Sequence, residues 1–147
     1  MGLRDRLATG ALALMTRRAV TAALDLLYPP QCIHCTRLGN LLCERCAAQL
    51  APGPLRAVAG LDAVRVRTTF EGPATSAIHA LKYQGIKRLA EPLGGLLAEA
   101  SLGTGWAVDF VCAVPLHPQR QAERGYNQSA LLASRVASLT GWCYVDR

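Results

Sequence analysis

Four cysteines carry the strongest chemical signal in the chain. They follow the pattern C-x₂-C-x₇-C-x₂-C and are Cys32, Cys35, Cys43 and Cys46. Each C-x₂-C pair can direct two sulfurs at one metal ion, and a turn at Gly39-Asn40 can bring the two pairs together. Four thiolates leave no open coordination position, so we predict a structural zinc ion rather than a catalytic one. A redox-active pair or disulfides are the alternatives.

A second group of polar residues lies between Pro115 and Gln128. It follows an apolar run at 108–114, which is typical of a strand buried on both faces, and it precedes a helical pattern that ends near Gly141. Strand, polar loop and helix in this order form a βα unit. In an open α/β sheet, ligands bind beyond the carboxyl ends of the strands. We therefore expect a ligand site within 115–128.

Other residues around this loop are predicted to be structural. Gly125 is expected to allow a tight turn into the helix, and Asn127 to cap that helix by accepting from a backbone amide near Ala130. Cys112 and Cys143 fall in apolar runs and are expected to be inert core thiols. The alternative to a ligand site is a solvated loop in which Glu123 pairs with Arg120 or Arg124.

The remaining elements are predicted from periodicity. Residues 1–28 have an amphipathic helical pattern that Tyr28-Pro29 ends. Residues 29–51 contain the cysteines and a short helix from Glu44 to Leu50, and a Pro/Gly-rich linker follows. Within 55–147 we predict a half-exposed strand at 64–70, helices at about 74–81 and 86–100, and another strand beginning at Cys143. Pro92 should kink the second of these helices or lie in a new first turn. This order predicts an α/β fold with a parallel sheet.

Composition limits the classes of function. The 147 residues carry a formal charge of +6, with +2 in each of 1–30, 31–56 and 57–147, so charge alone does not indicate a nucleic-acid surface. No apolar run reaches the roughly 18 residues of a membrane span. The short run at 7–15 lacks a convincing cleavage site for export. A reducing cytoplasm is the expected location.

Several motifs together resemble the ComF family of amidophosphoribosyltransferase-like proteins. They are a Pro-Pro entry into the cysteine pairs, F-E-G-P at 70–73, A-L-K-Y-Q-G at 80–85 and V-P-L-H-P-x-R-x-x-E-R-G-Y-N-Q-S at 114–129. The resemblance covers roughly 26–141. It implies a double zinc ribbon at 29–51, followed at 55–147 by a type I phosphoribosyltransferase-like parallel sheet with flanking helices. Natural competence and DNA uptake, with competence proteins as partners, are the implied setting.

The resemblance also implies roles for residues of the polar loop. His117, Arg120 and Arg124 would bind the diphosphate of phosphoribosyl diphosphate, which carries Mg²⁺, and arginine suits bidentate phosphate contact. The family's loop of paired acids and Thr/Gly residues has no counterpart before Arg147. We therefore expect an incomplete, C-terminally truncated sheet that lacks full catalytic machinery. The alternative function is a zinc-ribbon adaptor that binds single-stranded DNA or a helicase partner without enzymatic activity.

Overall fold

The computed structural model describes residues 25–53 and 57–146. Most of the helix predicted over 1–28 therefore lies outside the described residues, although residues 25–27 are helical. The carboxylate of Asp25 accepts two hydrogen bonds from the Arg88 guanidinium, at 2.9 and 2.6 Å. This ion pair connects the start of the described chain to a residue 63 positions further along it.

The cysteine-rich segment folds as a tight hairpin followed by one helical turn. Gln31 and Leu38 form an isolated antiparallel bridge, and the Ile33 amide donates to the Leu41 carbonyl at 2.9 Å. Helix α1 spans Glu44–Ala47. It is shorter than the predicted 44–50 because the chain tightens after it, and the Leu50 amide donates to the carbonyl of Ala47, three residues back.

Two helices follow as predicted. Helix α2 spans Gly72–Tyr83, a 3₁₀ turn spans Lys87–Leu89, and helix α3 spans Ala90–Leu102. Pro92 lies in the first turn of α3, where its missing N–H removes no intrahelical hydrogen bond. The prediction of a new first turn at Pro92 is therefore confirmed, and the predicted kink is not needed.

The remaining elements form one βαβ unit. Strand β1 (Phe110–Cys112), helix α4 (Pro118–Arg124), helix α5 (Gln128–Thr140) and strand β2 (Cys143–Val145) follow in that order. The two strands pair in parallel, with Phe110 opposite Cys143 and Cys112 opposite Val145. Helix α5 lies against both strands and packs along α3. This arrangement is α/β with a small parallel sheet, as the order of patterns predicts.

The segment at 64–70 is not a strand, which corrects one prediction. Its residues are irregular, and Phe70, expected on a core face, is 65% exposed. Alternation of apolar and polar residues provides one apolar face, but a strand also needs a neighbouring strand for its backbone hydrogen bonds. No such neighbour pairs with 64–70 within the described part of the chain.

Strand β1 is not buried on both faces, which corrects a second prediction. Phe110 is 54% exposed and Val114 is 73% exposed. Cys112 and Cys143, expected in the core, are also exposed. Residues 110 and 112 share one face of β1 because strand side chains alternate, and both are exposed, whereas residue 111 on the other face is partly buried. An apolar run thus indicates that a segment favours burial. It does not show that another element packs against that segment.

The hydrophobic core joins the cysteine-rich segment to the helices. Its buried cluster includes Leu42, Leu50, Leu81, Leu89 and Leu93, together with three of the four clustered cysteines. Leu81 and Leu89 have no exposed surface. The cysteine module therefore packs directly on α2 and the start of α3, and the two segments stabilise each other by burying apolar surface.

Candidate metal site and basic cleft

The four cysteines of the predicted zinc site converge. Their Sγ atoms all lie within 4.8 Å of one another, and the sulfurs of Cys35 and Cys43 are 3.6 Å apart. Four sulfurs at about 2.3 Å from a central Zn²⁺ would be about 3.8 Å apart in a regular tetrahedron. All six cysteines of the chain lie in the described ranges, and none forms a disulfide. The cluster therefore has the ligand number and spacing to hold one metal ion.

Local backbone geometry brings the first two sulfurs together. The Thr36 amide donates to the Cys32 carbonyl at 2.8 Å, which closes the first C-x₂-C pair into a turn. The Cys32 amide donates to the Arg37 carbonyl, also at 2.8 Å. Cys43 immediately precedes α1, and Cys46 lies within it, so the helical turn directs both of these sulfurs to the same side.

The protonation states of the thiols show why the cluster suits a cation. Burial, together with hydrogen bonds with the other three sulfurs, raises the pKa of the Cys46 thiol to about 12. Burial also acts to raise the pKa of Cys32, but backbone hydrogen bonds at Cys43, Cys35 and His34 outweigh it and lower that pKa to about 6. One sulfur thus ionises readily and its neighbour does not. A bound dication would stabilise the additional thiolates.

A side-chain hydrogen bond also connects the first cysteine pair to α2. His34, between Cys32 and Cys35, places its Nδ1 atom 3.0 Å from the Ser76 hydroxyl oxygen. The Ser76 hydroxyl in turn donates to the Gly72 carbonyl at 3.3 Å. His34 is therefore positioned as a contact between the hairpin and the helix, and it is not one of the four converging ligands.

A basic cleft of about 320 Å³ lies between the end of α2, helix α4 and the turn that follows α4. It is lined by Lys82, Tyr83, Gly85, Arg120, Glu123, Arg124 and Tyr126. Three side chains of this lining are cations and one is a carboxylate, which leaves a formal charge of +2. An anionic ligand is the chemical complement of such a lining.

Aromatic rings hold two of the nearby cations in place. The Arg124 guanidinium lies over the Tyr83 ring, 5.3 Å from its centroid, and also donates to the Gln128 side-chain oxygen. Lys87 Nζ lies 4.6 Å from the centroid of the Tyr126 ring, whose hydroxyl donates to a backbone carbonyl of α2. Cation–π contacts of this kind orient a charge without neutralising it.

The carboxylate of the cleft does not neutralise the arginines. Glu123 accepts a hydrogen bond from the Gln119 side-chain amide at 3.0 Å, one turn back on α4. In the described ranges the salt bridges are Arg88 with Asp25 and Arg135 with Glu91, and neither involves Arg120 or Arg124. The ion pairing of Glu123 that would make this loop a merely solvated segment is therefore not present.

The polar loop predicted at 115–128 contains helix α4, which corrects that prediction. Pro118 occupies its first turn, His117 accepts from the Gln119 amide at its start, and Gly125 ends it with φ of 76°. Proline suits a helix start, and glycine suits this left-handed end. His117 thus lies outside the cleft lining, whereas Arg120 and Arg124 are brought together there.

Asn127 forms the start of α5. Its side-chain oxygen accepts from the Ser129 amide at 2.9 Å, one residue before the expected Ala130. Its side-chain nitrogen donates to the Val114 carbonyl at 3.0 Å. Asn127 therefore both caps α5 and ties it to the chain that leaves β1.

Sequence reasoning assigned no chemistry to half of the cleft. Lys82, Tyr83 and Gly85 belong to the A-L-K-Y-Q-G motif and Tyr126 belongs to the loop motif, and neither motif by itself assigns these residues a chemical role. The adjacent basic and aromatic residues Lys82 and Tyr83 are the sequence feature that could have indicated a role in ligand binding. Their proximity to Arg120 and Arg124, about 40 positions along the chain, depends on contacts between α2 and residues 124–126: Arg124 lies over the Tyr83 ring, and the Tyr126 hydroxyl donates to the Leu81 carbonyl.

No helix in the described ranges is both long enough and apolar enough to cross a bilayer. Comparisons of the chain with protein-family models, with curated proteins and with solved structures found no match. The cysteine cluster and the basic cleft are therefore the observations from which a function is argued.

Proposed function

We propose that this chain is a zinc-stabilised, phosphoribosyltransferase-like protein whose basic cleft binds the diphosphate of phosphoribosyl diphosphate. The proposal joins the resemblance to the ComF family with the chemistry of the cleft. Natural competence is the biological setting that the resemblance implies, and zinc is the ion we assign to the four cysteines. The observation that carries the proposal is the convergence of Lys82, Arg120 and Arg124, none of which forms a salt bridge within the described residues.

Structural zinc is supported by the composition of the cluster. Four thiolates are a closed, soft ligand set, which favours Zn²⁺ over hard cations such as Mg²⁺. Three of the sulfurs belong to the hydrophobic core that includes α2. Zinc bound here would hold the hairpin against the helix that also supplies Lys82 and Tyr83 to the cleft. The metal's proposed role is therefore to support the fold, not to react.

Diphosphate binding is supported by the arrangement of charges. Arg124 is oriented by the Tyr83 ring and by Gln128, so little side-chain entropy is lost when it meets an anion. Mg²⁺ would enter with the diphosphate, bound mainly to its oxygens and to water. Glu123 is the one carboxylate among the lining residues. We therefore propose ligand binding by this cleft, with no transfer step assigned to its residues.

Calorimetry with phosphoribosyl diphosphate tests the proposal directly. The zinc-loaded chain is titrated with and without Mg²⁺, and inorganic pyrophosphate is then used as a competitor. Arg120→Gln and Arg124→Gln should each weaken binding by about tenfold, because each removes a charge-assisted contact. Arg65→Gln is the matched control, since Arg65 is exposed and lies outside the cleft. Undetectable binding by the zinc-loaded chain at millimolar ligand would rule out the proposal.

Single-stranded DNA is a second candidate ligand, favoured by one observation. Tyr83 is 62% exposed beside the cations of the cleft, and an exposed aromatic ring next to phosphate-binding cations can stack on a base. Fluorescence anisotropy with a labelled oligonucleotide should then show an affinity that falls as salt rises. Tyr83→Leu should weaken this binding, and Arg65→Gln should change it little. No binding at any salt concentration would exclude this candidate.

A further inference from the structure

The four cysteines of the cluster differ sharply in their access to solvent. Cys32 and Cys46 are each 1% exposed and Cys43 is 6% exposed, whereas Cys35 is exposed. The three buried sulfurs belong to the hydrophobic core, and Cys35 lies at the turn of the hairpin, away from it. A reagent dissolved in water can therefore reach the cluster at one ligand only.

Cys35, the exposed residue of the cluster, also has its sulfur close to that of a cysteine from the other pair. Cys35 Sγ and Cys43 Sγ are 3.6 Å apart, although eight positions separate the two residues in the chain. Cys35 belongs to the first C-x₂-C pair and Cys43 to the second. A bond between them would remove one ligand from each pair, and neither remaining ligand would then belong to a complete C-x₂-C unit.

We propose that Cys35 is a site of reversible oxidation by hydroperoxides, and that its reaction releases the metal by forming a disulfide with Cys43. This inference rests on the metal site of the proposed function and is independent of the ligand of the cleft. The exposure of Cys35 makes it the point of attack, and the 3.6 Å contact makes Cys43 the resolving thiol. Oxidation of the cluster would then control whether the metal is bound and stabilises the fold.

The chemistry balances with the hydroperoxide as the oxidant. The Cys35 thiolate attacks one peroxide oxygen, the O–O bond breaks, and a sulfenic acid forms while alkoxide or hydroxide leaves. The Cys43 thiolate then attacks the Cys35 sulfur, and hydroxide leaves as the S–S bond forms. Two sulfurs have together lost two electrons, which reduce the peroxide to an alcohol or to water. Zn²⁺, left with two thiolates, dissociates, and a dithiol reductant reverses the oxidation.

Loss of the metal should also affect the basic cleft, because the cysteine hairpin and the cleft both involve helix α2. Loss of the metal loosens the hairpin, and the hairpin packs on α2 and contacts it through His34 and Ser76. Helix α2 supplies Lys82 and Tyr83 to the cleft. Oxidation of Cys35 should therefore lower the thermal stability of the chain as the metal leaves.

The experiment follows metal release and maps the disulfide in the same sample. Zinc-loaded chain carrying Cys112→Ser and Cys143→Ser, which removes the two other exposed thiols, is treated with hydrogen peroxide while a zinc-sensitive dye reports release. Proteolysis and mass spectrometry without reduction then identify the bonded pair. We expect release of the bound zinc together with a Cys35–Cys43 disulfide, and recovery of zinc binding after dithiothreitol.

A variant at the exposed position provides the matched comparison. Cys35→His keeps a zinc ligand that peroxide does not convert to a disulfide, so zinc release should be slower by about tenfold or more. If this variant takes up no zinc, the mapped disulfide of the chain with all four cysteines decides the question. A zinc-loaded chain that keeps its metal in peroxide, or that forms a different pair first, overturns this inference alone. A chain that never binds zinc overturns the metal site as well.

Discussion

Replacing Gly94 by alanine should destabilise the protein, whereas the same replacement at the adjacent Gly95 should stabilise it. Both residues lie inside helix α3, so both replacements gain the helix propensity of alanine over glycine, about 0.8–1 kcal/mol. The difference lies in what the new methyl group meets. A Cβ atom at Gly95 has nothing within 4 Å, but one at Gly94 would lie 2.6 Å from Arg135 Cγ and 2.7 Å from Arg135 Cβ.

The clash at Gly94 cannot be relieved by rotating a side chain. The Cβ atom of Arg135 is fixed to the backbone of α5, so α3 and α5 must move apart where they now pack closely. Overpacking of this kind costs about 1–3 kcal/mol. After the gain in propensity, Gly94→Ala should be destabilised by up to about 2 kcal/mol, and Gly95→Ala should be stabilised by up to about 1 kcal/mol.

Thermal unfolding of the zinc-loaded chain, followed by circular dichroism, measures both variants. A change of 1 kcal/mol corresponds to about 4 °C in Tm for a chain of this size. Arg135→Gly removes the two clashing atoms, and a double-mutant cycle with Gly94→Ala separates the clash from the loss of the Arg135 ion pair with Glu91. Equal Tm values for the two alanine variants would refute the close packing of α3 on α5.

Three further predictions concern the cap, the cleft and the metal. Asn127→Ala should lower the free energy of unfolding by about 1 kcal/mol, because the Ser129 amide loses its acceptor, while Asn127→Asp should retain most of the stability; denaturant unfolding tests both. Glu123→Gln should tighten pyrophosphate binding by about twofold to fivefold in calorimetry, since it removes the one carboxylate of the cleft lining, and unchanged or weaker binding would contradict this. Zinc affinity should fall at least about tenfold per unit of decreasing pH near neutrality, because Cys46, whose pKa burial raises to about 12, must lose its proton to bind metal. The fall should steepen below about pH 6, where Cys32 also becomes protonated, and a chelator competition that gives one affinity from pH 6 to 8 would refute the assignment of thiolate ligands.

Predictions that depend on neighbours in the chain agree best with the structure. The C-x₂-C spacing places two sulfurs on one turn, and this is true of both pairs. Asn127 and Gly141 begin and end α5 because their side-chain chemistry and permitted φ angles act on adjacent backbone groups. The two strands and helix α5 follow from the change of hydrophobic period along 108–145, whereas α4 lies in a segment whose pattern predicts a loop.

Predictions that require a distant partner fared worse. The pattern at 64–70 has the alternation of a strand but no adjacent strand with which to bond. Phe110 and Cys112 have the apolar character of a buried strand, but one face of the two-stranded sheet is uncovered in the described residues. In both cases the sequence pattern indicates the conformation and burial that a segment favours. Strand pairing and burial also require another segment that packs or bonds against it.

By itself, the amino-acid sequence determined the grouping of the four cysteines, the caps of α5 and the α/β order of elements, because each follows from residue types at short, fixed spacing. Only the tertiary structure decided that Lys82 and Tyr83 join Arg120 and Arg124 in one cleft, and that Cys35 alone among the four clustered cysteines is exposed. The reason is physical. Short-range spacing constrains local backbone geometry, while the meeting of α2 with α4 and the burial of three sulfurs depend on how separate segments share one core.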